Sequence, residues 1–180
     1  MYSGAPDTNY GLSGYIGVGC WVSNKLHRGL IHFTLPAGSG TITKVELYLH
    51  TTDNDLNLTS HNIEVHQLTQ TNWVENQFTW NSYSTGNSWA SPGGDYSATV
   101  IDVIAVNAKL TWFSWILMGE GAENPLTLDW EDEVHLLLRN TNESSWQYAK
   151  QFDDKTVSGY EPYLKITYIT PAGKVQTMII

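Results

Sequence analysis

The chain has 180 residues, with 41% hydrophobic residues but only 15% charged, and a formal net charge of −9. That length suits one domain with a sizeable core, and the negative balance argues against nucleic acid or an anionic membrane as a partner. A single cysteine, Cys20, excludes an internal disulfide framework and a cysteine-based zinc site, and no apolar run approaches the ~20 residues of a membrane span.

The opening segment Met1-Tyr2-Ser3-Gly4-Ala5-Pro6 lacks a basic region and an apolar core, so no signal peptide is expected there. Alternation of apolar and polar residues predicts strands over Gly14–Val22, Arg28–Leu35 and Thr41–His50, with Val45, Leu47 and Leu49 inward in the last. Cys20 is expected as a buried thiol. Asn62–Thr69 is a further strand. Residues Thr71 to Asp95 form a long excursion with little periodicity but five aromatics, Trp73, Phe78, Trp80, Tyr83 and Trp89, which suggests that it packs on the body.

Ala98–Val106 reads as strand. In Asn107–Met118 the positions Leu110, Phe113, Ile116 and Leu117 fit a helical spacing, so one short helix is expected, stopped by Gly119 and Gly121. Glu133–Arg139 and Ser145–Phe152 read as a strand and its paired return, and Pro162–Ile169 as the closing strand. The last segment, residues 170–180, ends in apolar Val175-Gln176-Thr177-Met178-Ile179-Ile180. It suits either an edge strand on its own sheet or a strand or anchor donated to a neighbouring subunit. The whole predicts an all-β, jelly-roll-like antiparallel sandwich over residues 1–169 with one short helix, followed by that tail.

Catalytic signals are sparse, and no enzyme is expected. No serine lies in a Gly-x-Ser-x-Gly elbow. The six histidines, His27, His32, His50, His61, His66 and His135, are scattered, with no close pair at ligand spacing beside a third acid. No cofactor is expected beyond a structural calcium, for which Asp53, Asp55, Asp129 and Asp132 in turn-forming stretches are the candidate ligands. These acids equally suit local capping of backbone N–H groups.

Exposed aromatic rings that stack on sugars are the other candidate chemistry. Alternation puts Trp146, Tyr148, Lys150 and Phe152 on one face of a strand, which fits a carbohydrate platform or an inner sandwich face with a snorkelling lysine. Trp21, Lys25 and Arg28 lie near a second loop mouth. Trp21, Lys25, Arg28, Trp146, Tyr148 and Lys150 are therefore the candidate ligand contacts.

One stretch is more specific. Trp73-Val74-Glu75-Asn76-Gln77-Phe78-Thr79-Trp80-Asn81 resembles the W-x-E-x-x-x-T-W-N signature of the DNRLRE-type domain, a β-sandwich family that includes alginate-binding carbohydrate-binding modules. Asp7-Thr8-Asn9-Tyr10-Gly11, Arg28-Gly29-Leu30-Ile31-His32-Phe33, Pro92-Gly93-Gly94-Asp95-Tyr96 and Pro162-Tyr163-Leu164 are similar to further family motifs, in the same order. The chain departs at Tyr148-Ala149-Lys150-Gln151-Phe152, where the family carries an Arg-Glu pair. The resemblance implies a β-sandwich that binds polysaccharide. Within the motif, Trp73, Glu75, Thr79 and Trp80 read as structural, with Glu75 and Thr79 satisfying indole and backbone groups. The expected partner is a polysaccharide or surface glycan, met outside the cell or on a particle surface. The alternative is a structural component of a larger assembly, such as a virion decoration or fibre protein, oligomerised through residues 170–180.

Overall fold

Thr41–His50 (β4) shows how the alternating pattern becomes a layer. Val45, Leu47 and Leu49 are fully buried, while Lys44 and Tyr48 on the other face are half-buried. In this computed structural model, which describes residues 1–22, 24–53, 59–144 and 148–180, β4 lies between Trp112–Met118 (β9) and Tyr163–Ile169 (β12). Val175–Ile179 (β13) completes the sheet as an edge strand, pairing with β12. The tail thus closes on its own sheet, and Leu164 and Ile180 exchange backbone hydrogen bonds at 3.0 Å.

The facing sheet has the order β3-β10-β5-β8, formed by Gly29–Thr34, Glu133–Asn140, His61–Leu68 and Tyr96–Val106. Ile63, Val65, Leu136 and Leu138 meet Val45, Leu47, Leu164, Ile166 and Trp115 between the layers. Each fully buried aliphatic side chain there contributes ~1.5–3 kcal/mol of transfer free energy. A third sheet, Tyr148–Asp153 (β11), Tyr15–Val22 (β1) and Lys25–His27 (β2), adjoins the end of β4, where Thr52 N–H donates to the Gln151 carbonyl at 3.0 Å. Cys20 is buried in it. The architecture is an antiparallel β-sandwich.

Two expectations are corrected. The short helix over 107–118 is strand β9, and the described residues contain no helix. Trp115 and Leu117 point into the core while Trp112 and Ile116 lie on the other face, so both faces are apolar and a two-residue period imitates a helical one. Leu110, counted in the helical stripe, is exposed at a turn with a φ of 48°.

The strand over 133–140 and the one ending at Asp153 are not mutual partners either. β10 pairs with β3 and β5, whereas β11 pairs with β1. The reason is burial: Val134, Leu136, Leu137 and Leu138 need cover on both faces, which only a central strand receives.

The excursion from Thr71 to Asp95 packs on the body, as its aromatics suggest. Apart from a small hairpin of Ser82–Ser84 (β6) and Asn87–Ser88 (β7), it is irregular. Phe78 and Trp89 join Met1, Leu68 and Leu137 in a second core, flanked by Trp73, Trp80, Tyr83 and Tyr96. Leu137 and Leu68 belong to β10 and β5 but lie outside the core shared with β4, so the excursion roofs that sheet's outer face.

A cleft under the tryptophan roof

Where the roof meets the sheet, a cleft of about 440 Å³ opens between β1, β3, β10 and the Trp73–Phe78 segment. Its floor is the cross-strand pair His32 and His135, directly opposite one another on β3 and β10. Their rings stack at 4.3 Å with 16° between planes. Trp73 stands edge-on to both, and its indole N–H donates to His135 Nδ1 at 3.1 Å. The rim carries Tyr10, Tyr15, Asp154 and an ion pair between Lys155 and Glu75.

The sequence motifs hold this roof in place. Asn9 Nδ2 donates to the carbonyls of Glu75 and Phe78 at 2.9 and 2.6 Å, so the opening motif fastens the tryptophan motif. Thr79 Oγ1 accepts the backbone N–H groups of Asn81 and Ser82, and the Trp89 indole donates to the Thr79 carbonyl. Trp80 lies against the Arg28 guanidinium, 5.2 Å from ring centroid to Cζ. The expectation for Glu75 is corrected: its carboxylate meets Lys155 at the exposed rim, and the Trp73 indole is satisfied by His135 instead.

The histidine floor is electrically tuned. Burial first, and then the neighbouring His32, hold His135 below the usual imidazole range, against the opposing pull of Glu133. Hydrogen bonds from His32 and Thr34 lower the Glu133 carboxyl. His27, at the back of the cleft and stacked on Tyr2 at 4.3 Å, is pushed down to about 4 by burial and then by the nearby terminal ammonium.

His32, Glu133 and His135 bring three possible metal donors within 4.8 Å of one another. Sequence spacing missed this set because His32 and His135 meet across strands. The Trp73 N–H, however, occupies the acceptor role of His135 Nδ1, which leaves the proton of the neutral ring on Nε2, the atom facing Glu133. Near-parallel rings also do not converge their lone pairs on one point. The arrangement suits hydrogen bonding to a polar ligand better than coordination of a cation.

The candidate ligand contacts whose side chains are described, Trp21, Lys25, Arg28 and Lys150, do not converge on one site. Arg28 lines the cleft, but its Nε and Nη2 are engaged by Glu143 at 2.8 and 2.7 Å and its Nη1 by the Gly93 carbonyl. Burial alone would lower its pKa, yet the Glu143 pair raises it on balance, so it stays a cation. Lys150 is fully buried rather than snorkelling, out of reach of a surface ligand. Trp21 is half-buried with its ring 5.6 Å from that of His27, and Lys25 is exposed on β2; neither lines the cleft. Trp146 and the side chain of Tyr148 lie outside the described residues, as does Asp55.

Of the acids considered for calcium, Asp132 Oδ2 accepts the Asp129 N–H and Asp129 Oδ1 accepts the Trp130 N–H, both as local turn caps. Asp53 is exposed, and its carbonyl accepts Lys109 Nζ at 2.8 Å.

None of the curated proteins matches the chain. Residues 2–135 match the model of carbohydrate-binding module family 96. That match takes in both the tryptophan roof and the histidine floor, and the chain belongs to carbohydrate-binding module family 96.

Proposed function

We propose that this chain is a non-catalytic polysaccharide-binding module of the DNRLRE type, and that it holds its glycan in the cleft under the tryptophan roof. The observation that carries this reading is the combination of a ring edge, Trp73, with exposed hydrogen-bonding groups of both signs around one opening: His32, Glu75 and Lys155. Sugar hydroxyls donate and accept at once, so a site that reads them needs both kinds of group. The cleft also falls within the ~300–1,000 Å³ range of small-ligand sites. Such a ligand belongs outside the cell, which is where the module is proposed to act.

Affinity electrophoresis of the full chain through gels containing single polysaccharides tests the reading, beside the double variant His32→Ala/Lys155→Ala. Both residues are exposed enough for the fold to survive their loss. Retardation that weakens at least about tenfold in the variant, or roughly 1.4 kcal/mol, supports the cleft. Equal retardation of both proteins would exclude it.

A further inference from the structure

The two sheets differ in what covers them. The outer face of β3-β10-β5-β8 is roofed by the excursion, whereas among the described residues no segment of comparable size roofs the outer face of β12-β4-β9. Directly opposed residues share a face of an antiparallel pair. The registers therefore put Tyr48 with Tyr163, His50 with Trp112 and Glu46 with Lys165 on this open face.

Their rings form one connected cluster. Tyr48 and Tyr163 stack at 4.8 Å with 5° between planes, and Trp112 leans on Tyr163 at 5.1 Å. Tyr160 stacks on His50 at 4.2 Å and lies 6.4 Å from Trp112. His50 is buried beneath them, held by Asp153 through Nδ1 at 2.6 Å. Trp112 and Tyr160 are 36% and 45% exposed, so ring surface is open to solvent. The rings are fixed before any ligand arrives, which lowers the ordering cost of binding.

The polar groups beside the rings decide what fits. Glu46 is engaged by Lys44 at 3.0 Å and by Lys165 at 3.1 Å, and Lys165 also lies over the Tyr48 ring. Both lysines pair with Glu46 and Asp153 pairs with His50, so two cations stand beside two carboxylates and the face is close to neutral on a chain of net charge −9. A neutral, ring-paved, hydrogen-bonding surface matches an uncharged sugar, whose apolar ring face stacks on aromatics while its hydroxyls meet Lys165 and Glu46. It offers no excess cation for a polyanion or an anionic membrane.

We infer that the face formed by Trp112, Tyr160, Tyr163 and Tyr48 is a second glycan-binding surface, separate from the cleft and directed at neutral polysaccharide. The inference shares with the proposed function only the premise that the module binds glycans. Its test uses the full chain against soluble mixed-linkage β-glucan, xylan and galactomannan, by affinity electrophoresis and calorimetry.

In the His32→Ala/Lys155→Ala background, where the cleft is disabled, binding to at least one of these is expected to persist. Adding Trp112→Ala should weaken it about tenfold or more, and Trp112→Phe should restore part of it. Thermal unfolding of each variant separates loss of a contact from loss of fold. No residual neutral-glycan binding in the disabled-cleft background would overturn this inference and leave the cleft reading standing. Unchanged binding after Trp112→Ala and Tyr160→Ala would overturn it as well. A native mass that falls on Trp112→Ala without loss of glycan would identify the face as a contact between copies of the chain instead.

Discussion

Arg28 and Glu143 form a two-pronged ion pair, with nitrogen–oxygen distances of 2.8 and 2.7 Å, between two aromatic rings that belong to different parts of the chain. The guanidinium lies 5.2 Å from the Trp80 ring and 5.4 Å from that of Tyr96, while its third nitrogen donates to the Gly93 carbonyl. It therefore ties the start of β3, the roof and the loop after β10 at one point. Each side chain is 12% exposed. Removing the carboxylate leaves a mostly desolvated cation, so Glu143→Ala should cost about 2–4 kcal/mol, read as a fall in the urea midpoint. Arg28→Lys keeps the charge but loses the fork, and should recover only part of that stability.

Gly93 sits beside this pair with a φ of 92°, and a Cβ there would lie 2.7 Å from the Trp80 ring and 2.9 Å from Arg28 Nη1. Gly93→Ala meets both a left-handed backbone and the packed guanidinium. It should destabilise by about 2 kcal/mol or more, and calorimetric unfolding would register this as a lower Tm. A Tm equal to that of the parent would mean that the Pro92–Tyr96 turn can relax without disturbing Arg28.

Much of this was legible beforehand. β4 was readable to the residue because Val45, Leu47 and Leu49 alternate cleanly with polar neighbours. β9 was not, because Trp112 and Ile116 make its outer face as apolar as its inner one, which also hides Trp112 as an exposed ring. The tryptophan motif was visible as a structural signal, yet its partner His135 was not, since 62 residues separate them and only the β3-β10-β5 order brings them together. Arg28 stands in the sequence as a candidate ligand contact, because its partner Glu143 is 115 residues away.

Asn9 tests whether the opening motif positions the cleft. Its side-chain amide donates to two carbonyls of the roof, and a Cβ on Gly11 would come within 1.9 Å of the Glu75 carbonyl oxygen. Asn9→Ala leaves two carbonyls without these donors and should cost about 1–3 kcal/mol. Faster hydrogen exchange over residues 75–78 than over β4 should accompany it. Uniform exchange across both segments would show that Asn9 does not act on the roof.

The pH response follows from His27 and His135. Both are held below the ordinary imidazole value of 6.5, His27 to about 4. A depressed folded-state value means that the folded form resists protonation. The stability these rings contribute is fully present above pH 6.5 and is lost as pH falls from there toward 4. For His27 the shift corresponds to roughly 2–3 kcal/mol across that window. His27→Phe keeps a ring against Tyr2 but removes the proton site, so its unfolding free energy should vary less between pH 7 and 4.5 than that of the parent. An unchanged slope would assign the acid sensitivity elsewhere.

Trp73→Phe probes the floor directly. The indole N–H stabilises the neutral His135 ring by donating to Nδ1, so its loss should cost about 1 kcal/mol and also raise the His135 pKa, because a donor to Nδ1 opposes protonation there. The Phe ring retains the edge contact with Phe78 that the indole makes at 5.4 Å, so the roof stays packed. A proton-detected titration of the histidine rings would read the shift as an upward move for His135 relative to the parent. A mere packing role for Trp73 would leave that titration in place, because nothing about the burial of His135 depends on a single N–H. An upward shift accompanied by weaker glycan retention at pH 5.5 than at pH 7.5 would tie the protonation state of the floor to the ligand it holds.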